Sequence, residues 1–212
     1  SISGNAGVLM NDADSLDHEH RQRIYKDIHD DSMWLISLVE NLLSITRVEG
    51  GAVQLHMETE LLEEIIDEAM RHIHRRHESR KVRVTQEGDY ILVSVDAQLI
   101  IQVVTNLVDN AIKYTPENSD ITVKSYQRGN CAIIEVTDNG PGIPDDSKEK
   151  IFQMFYTTGY KSADGKRGMG LGLPLCRAIL NAHKGTIEVL DHTPSGSIFR
   201  ITLPAEEVSI HE

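Results

Sequence analysis

Apolar residues recur at helical spacing through the first fifty positions. Ile2, Ala6, Leu9, Ala13 and Leu16 mark a first helix, and the Asp14-Ser-Leu-Asp17 region can turn the chain. A second helix, roughly His18 to Val48, places Ile28, Leu35 and Leu42 seven apart, with Ile24, Leu38 and Ile45 on the companion positions. Asp31 interrupts that companion series. Val39 and Leu43 widen the stripe beyond a two-stranded seam, to the breadth a four-helix bundle requires. One chain supplies two helices, so a homodimer through these helices is expected to complete the bundle. The alternative is a helical hairpin packed on its own domain. Gly50-Gly51 stops the long helix and marks the expected boundary between a helical segment, 1–50, and a second domain, 51–212.

Past that boundary the period changes. Val53, Leu55 and Met57 alternate as a short strand, and Glu60 to about Arg76 forms a helix with Leu61, Ile65, Ala69 and Ile73 on one face. Val82–Thr85 and Ile91–Val95 form strands around a Gly88-Asp89 turn. Ala97 to Tyr114 is a helix, stopped by Pro116. Ile121–Gln127 and Cys131–Thr137 alternate around Gly129-Asn130, a hairpin signal. Leu171 to Ala182 is a helix, and Thr186–Leu190 and Ser197–Leu203 form a final strand pair across Pro194-Ser-Gly196. Strands in pairs with helices between them predict an α+β domain, an α/β sandwich with one mixed sheet and helices on one face.

Composition narrows the functional classes. A chain of 212 residues with 40% hydrophobic and 25% charged residues is an ordinary globular protein. Its net charge of -12 argues against a nucleic-acid partner. Cys131 and Cys176 form no metal or redox spacing. Ten histidines raise the question of metal, but His72, His74 and His77 sit among Arg71, Arg75 and Arg76, which repel a cation; a solvated helix face is the better account. No apolar run reaches membrane-spanning length, and no signal peptide is visible.

The chemistry concentrates between Asn106 and Ser197. Asn106 and Asn110 are four apart, hence on one helix face, with Lys113 near it. Asparagine is a poor helix former, so two stacked on one face invite a specific role. An amide oxygen is a hard ligand suited to Mg2+, and a lysine meets phosphate as a point charge. Asp138 ends a strand before Gly140 and Gly142. Its carboxylate can accept a hydrogen bond from an exocyclic amine, or cap its own Asp-Asn-Gly turn. Gly168, Gly170 and Gly172 stand at a helix entrance, where free N–H groups and the helix dipole favour phosphate. Thr157 to Arg167 is polar, basic and glycine-bearing, the composition of a lid, and Ile151, Phe152 and Phe155 are expected to anchor it.

The order Asn106-Leu-Val-Asp-Asn110-Ala-Ile-Lys113-Tyr114, then Asp138-Asn-Gly-Pro-Gly142, then Ile151-Phe-Gln-Met-Phe155, then Gly168-Met-Gly-Leu-Gly-Leu173 resembles the asparagine, first glycine, phenylalanine and second glycine boxes of sensor histidine kinases. These belong to the ATPase superfamily shared with gyrase and the heat-shock chaperone ATPases, whose ATP site is a Bergerat pocket. The resemblance covers about Leu35 to Leu203. The segment Leu38 to Gly50 resembles the second helix of the family's dimerisation and phosphotransfer domain, in wording most similar to its KdpD-type, potassium-responsive branch.

By position, the resemblance implies that Asn110 coordinates Mg2+ and that Asn106 and Lys113 contact the phosphates of ATP. Tyr114 flanks the adenine, Asp138 binds its amino group, and Gly140 and Gly142 leave room. Gly168, Gly170, Leu171 and Gly172 line the triphosphate, and Ser197 lies near the adenine edge. The last glycine box departs from the pattern, with Pro194 in the place of a first glycine and Gly196 alone. No histidine has the acceptor context of an adjacent acid and an Arg-Thr-Pro-like turn; His29-Asp30 lies in the second helix, where the family places no acceptor. The chain is therefore expected to begin just after that acceptor, to contain no catalytic residue in the sense of the phosphorylated histidine and its neighbouring acid, and not to autophosphorylate.

The implied activity is transfer of the ATP γ-phosphoryl group to a histidine and then to a response-regulator receiver domain. The implied setting is a cytoplasmic domain of a protein anchored in the bacterial inner membrane by upstream segments. An ATP hydrolase that closes a protein clamp, and a nucleotide-responsive module that docks a regulator, are the competing functions.

Overall fold

The computed structural model describes residues 1–12, 16–49, 55–158 and 170–206. The chain divides into two compact units, Ser1–Ser44 and Ile45–Glu212. The first contains α1 (Ile2–Asp12) and most of α2 (His18–Glu49). Asp17 opens α2, accepting from the His20 backbone N–H at 2.8 Å, as a residue ahead of a helix should. Of the broad stripe foreseen in α2, Leu35, Val39, Leu42 and Leu43 are 37–50% exposed, while Ile24, Ile28 and Leu38 are half-buried. The expected boundary at Gly50-Gly51 lies outside the described residues.

The second unit is built on a five-stranded sheet. Its strands are β2 (Val82–Glu87), β4 (Ile121–Arg128), β5 (Cys131–Asp138), β7 (Ser197–Pro204) and β6 (Thr186–Asp191), in that spatial order, with β3 (Leu92–Val95) standing elsewhere. The β4–β5, β5–β7 and β6–β7 pairs are antiparallel, whereas β2–β4 is parallel, so the sheet is mixed as expected. Helix α4 (Ala97–Tyr114) packs between α3 (Leu62–Arg76) and α5 (Gly172–Ala182), and α4 and α5 lie on the sheet. Alternate residues of the central strands β4, β5 and β7, among them Val123, Ile134, Val136, Phe199 and Ile201, are buried together with Ile66, Ile73, Leu107 and Ile179 of the helices. On the opposite face Lys124, Glu135, Arg200 and Glu188 stand in register across four neighbouring strands. Arg200 donates to Glu135 at 2.7 Å and to Glu188 at 3.1 Å, and Lys124 pairs with Glu87 at 2.8 Å.

Two strand expectations change. Among the described residues the first strand of the domain is β1 (Glu58–Leu61), later than Leu55 and Met57 indicate; Val53, the start of that expected strand, lies outside the described residues. The strands flanking Gly88-Asp89 are not partners: β2 joins β4, while β3 pairs antiparallel with β1 in a separate two-stranded ribbon. The reason is burial. Val93 and Val95 of β3 are fully covered, but β2 is a polar edge strand, and a parallel β2–β4 pair needs the long crossover that β3 and α4 supply.

Candidate nucleotide site

Helix α4 is the spine of the site. Asp96 caps it by accepting from the Leu99 N–H at 3.3 Å, and the Asp96 N–H donates to His183 Nε2 at 3.0 Å. The other ring nitrogen of His183 donates to the Ile179 carbonyl at 2.8 Å, so a neutral imidazole ties the start of α4 to the end of α5. Val103, Val104, Leu107 and Val108 are 0% exposed. That burial fixes the rotation of α4 and leaves Asn106, Asn110, Lys113 and Tyr114 half-buried.

The two ends of this polar face meet different walls. Asn106 lies against α5: its amide nitrogen is buried with no full hydrogen bond, and its neighbour is the weakly accepting sulfur of Cys176. Burial pushes the Cys176 thiol up to about 12, so it is an inert, neutral group and not a nucleophile. One turn before Cys176, α5 begins at Gly172 with neither a side-chain cap nor an acid in its first turn. A Cβ at Gly172 would meet nothing within 4 Å, so packing does not demand a glycine there. An uncapped helix start, beside an unsatisfied buried amide donor, is an arrangement that accepts an anion.

At the other end, α4 abuts the first glycine loop. A Cβ at Gly140 would lie 2.9 Å from Thr115 Cγ2 and 2.8 Å from Asp138 Oδ1. Asp138, only 7% exposed, accepts from the Gly140 N–H at 2.8 Å and stands opposite Ser197 in the β5–β7 ladder. Burial pushes the Asp138 carboxyl up from its ordinary value, while the Gly140 and Ser197 N–H groups hold it down. Asp138 thus caps its own turn from a buried position. Gly196 braces this wall. With φ at 122°, its missing side chain would overlap the Asp138 carbonyl, so a single glycine does the work despite Pro194. Tyr114 is half-buried with Lys113 Nζ 5.4 Å from its ring centre, and burial pushes its hydroxyl upward.

Gly170 also has a structural part of its own. Its φ is 66°, and a Cβ would come 2.5 Å from the Tyr156 carbonyl oxygen. Its own carbonyl accepts from the Phe155 N–H at 2.9 Å, so Gly170 closes the base of the segment that follows Phe155. Phe155 itself holds φ at 64°, rare for an aromatic residue, and its ring is 62% exposed. Of the three expected lid anchors, Ile151 and Phe152 are buried, whereas Phe155 is not. Gly168 and the greater part of Thr157–Arg167 lie outside the described residues.

Residues 95–207 match the family model for histidine kinase-, DNA gyrase B- and HSP90-like ATPases. The chain belongs to this ATPase family. The sensor protein KdpD of Clostridium acetobutylicum is 38% identical over 97% of this chain, which covers 23% of that protein. The catalytic domain of histidine kinase ThkA is 31% identical with a TM-score of 0.62, over 70% of this chain and 95% of that one. Histidine kinase ThkA in complex with response regulator protein TrrA superposes with a TM-score of 0.76 at 27% identity, over 97% of this chain and 57% of that one. The chain thus spans about a quarter of the length of the KdpD proteins it matches. Membership in this ATPase family implies nucleotide binding. Among the described residues no helix is long and apolar enough to cross a membrane, and no group of histidine, cysteine and acidic residues could by itself hold a metal ion.

Sequence reasoning missed three residues. Arg80, Thr115 and His183 are buried polar groups that hold the ends of α4 in place. Their partners lie 32 to 87 positions away, apart from the Ala111 carbonyl bonded by Thr115 and the Ile179 carbonyl bonded by His183, so no local pattern announces them.

Proposed function

We propose that this chain is the ATP-binding catalytic portion, 51–212, of a sensor histidine kinase, preceded by a partial dimerisation and phosphotransfer segment, 1–50, that pairs with a second copy. The observation that carries this is the polar face of α4, which runs from the open start of α5 to the buried carboxylate of Asp138. One end offers donors to phosphates and the other an acceptor to an adenine amine.

In this scheme Asp138 accepts from the adenine amino group, with Tyr114, Gly140, Gly142 and Ser197 around the base. Asn106, Lys113, Gly168, Gly170, Leu171 and Gly172 serve the triphosphate, Gly170 by fixing the backbone and Gly172 by leaving N–H groups clear. Asn110 supplies an amide oxygen to Mg2+, which needs few protein ligands because phosphates and water complete its shell. Bound Mg2+ would neutralise charge building on the phosphate oxygens. The chain's own contribution is positioning and donor dipoles in a partly dry site. The phosphoryl group then passes to a histidine and on to a response-regulator receiver domain, the kind of partner named for ThkA. The parent would hold this portion on the cytoplasmic side of a bacterial membrane.

The test is phosphoryl transfer by the full-length protein from γ-labelled ATP, with acid-labile, base-stable label expected on a histidine. Asn110→Ala should abolish transfer and remove the Mg2+ dependence of ATP binding. Steady phosphate release with no labelled acceptor, equal in both proteins, would contradict the scheme.

A further inference from the structure

Arg80 sits between α3 and β2, is only 8% exposed, and forms no salt bridge among the described residues. Its guanidinium donates instead to three oxygens at the end of α4: the Pro116 carbonyl at 2.7 Å, Thr115 Oγ1 at 2.7 Å and the Ile112 carbonyl at 3.5 Å. A buried cation without a counter-ion is costly, and here the negative end of a helix takes the counter-ion's place. Thr115, 2% exposed, is thereby gripped from both sides, because its hydroxyl also donates to the Ala111 carbonyl at 2.6 Å. Its methyl group is the one that packs on Gly140, next to the Asp138 carboxylate.

We propose that Arg80 is a positioning residue for the nucleotide, locking the last turn of α4 against the first glycine loop through Thr115. The turn so held carries Asn110, Lys113 and Tyr114, and the loop carries Asp138, so one guanidinium sets the spacing between the metal-and-phosphate end and the adenine end. It also offsets the partial negative charge of the helix end, which would otherwise face Asp138 and a polyanionic ligand together. This inference rests on the nucleotide reading of the site. A lysine cannot reproduce it, because a single ammonium lacks the planar fork that spans three acceptors.

The experiment measures ATP·Mg2+ dissociation constants and melting temperatures for the unmodified chain, Arg80→Met, Arg80→Lys and Ile73→Val. Ile73→Val trims the buried core of α3 and leaves the Arg80 hydrogen bonds to the end of α4 in place. All are compared at a temperature where circular dichroism shows each to be folded. Arg80→Met is expected to weaken ATP at least tenfold and Arg80→Lys about threefold, while Ile73→Val lowers the melting temperature and leaves affinity unchanged. Amide exchange at Gly140 should accelerate in Arg80→Met relative to that at Ile179. Unchanged affinity in both Arg80 variants, or equal weakening by Ile73→Val, overturns the proposal. Should Arg80→Met fail to fold, Arg80→Lys decides alone: weakened binding supports positioning and unaltered binding overturns it. Failure of the unmodified chain to bind ATP overturns the nucleotide reading itself, and this inference with it.

Discussion

Helices α2 and α4 both carry a broad apolar stripe, and the chain treats them in opposite ways. In α4 the stripe is 0% exposed at Val103, Val104, Leu107 and Val108, covered by the sheet, α3 and α5. In α2 Leu35, Val39, Leu42 and Leu43 stay 37–50% exposed. The same sequence signal thus accompanies two outcomes: a core completed within its unit, and a face left exposed. What separates them is the neighbouring sequence. Helix α4 lies between strands β3 and β4, whereas the element described next to α2 on its N-terminal side is another helix, α1.

The largest effect expected from this contrast comes from truncating each stripe. Leu107→Ala should destabilise the second unit by about 2–5 kcal/mol in urea denaturation, as a buried leucine does when it leaves a cavity. It should also weaken ATP, since the same helix carries Asn106 and Asn110. Leu42→Ala should leave ATP affinity unchanged. Equal losses of stability from both, measured in dilute solution, would break the comparison.

Smaller is the effect of placing a charge on the open stripe. Val39→Asp should weaken self-association about ten- to a hundredfold in sedimentation equilibrium, the loss of one buried valine's ~1.5–3 kcal/mol. A chain that is monomeric at every concentration before the substitution would show that α2 is covered by something other than a second copy.

The smallest effect is a pH dependence that belongs to the α4 side alone. An unfolded aspartate titrates near ~3.9, and burial raises the folded value for Asp138. The folded state therefore binds the proton more tightly, and this favourable contribution is fully present below the unfolded value and is lost as pH rises through the folded one. In urea titrations without nucleotide, the stability of the unmodified chain relative to Asp138→Asn should accordingly rise as pH is lowered from neutrality toward about 4. A flat difference across that range would show that Asp138 carries no such strain.

Most of the second unit was legible in the sequence because its signals are local. The α4 limits, Ala97 and Tyr114, follow from a 3.6-residue period and Pro116. The β4–β5 hairpin follows from alternation around Gly129-Asn130. The site was legible where glycine and asparagine stand out against their surroundings. What could not be read was partner choice at a distance: that β2 leaves β3 for β4, that Gly170 packs on Phe155 and Tyr156, and that Arg80 reaches across to Thr115 and Pro116. Each depends on tertiary proximity that no periodicity encodes.

The charged row on the open face of the sheet bears on how this unit avoids folding into the wrong alignment. A slip of one residue between strands would expose the core face and is rejected by burial alone. A slip of two preserves the alternation, so hydrophobicity hardly detects it. Moving β7 by two positions against β5 would set Ile198 or Thr202 opposite Glu135 in place of Arg200, and the same step against β6 would strip Glu188 of its partner. With each opposite-charge pair contributing about 0.2–1 kcal/mol, Lys124, Glu135, Arg200 and Glu188 act as a vernier that reads the even-numbered errors. The strand ends so aligned are those that bring Asp138 beside Ser197.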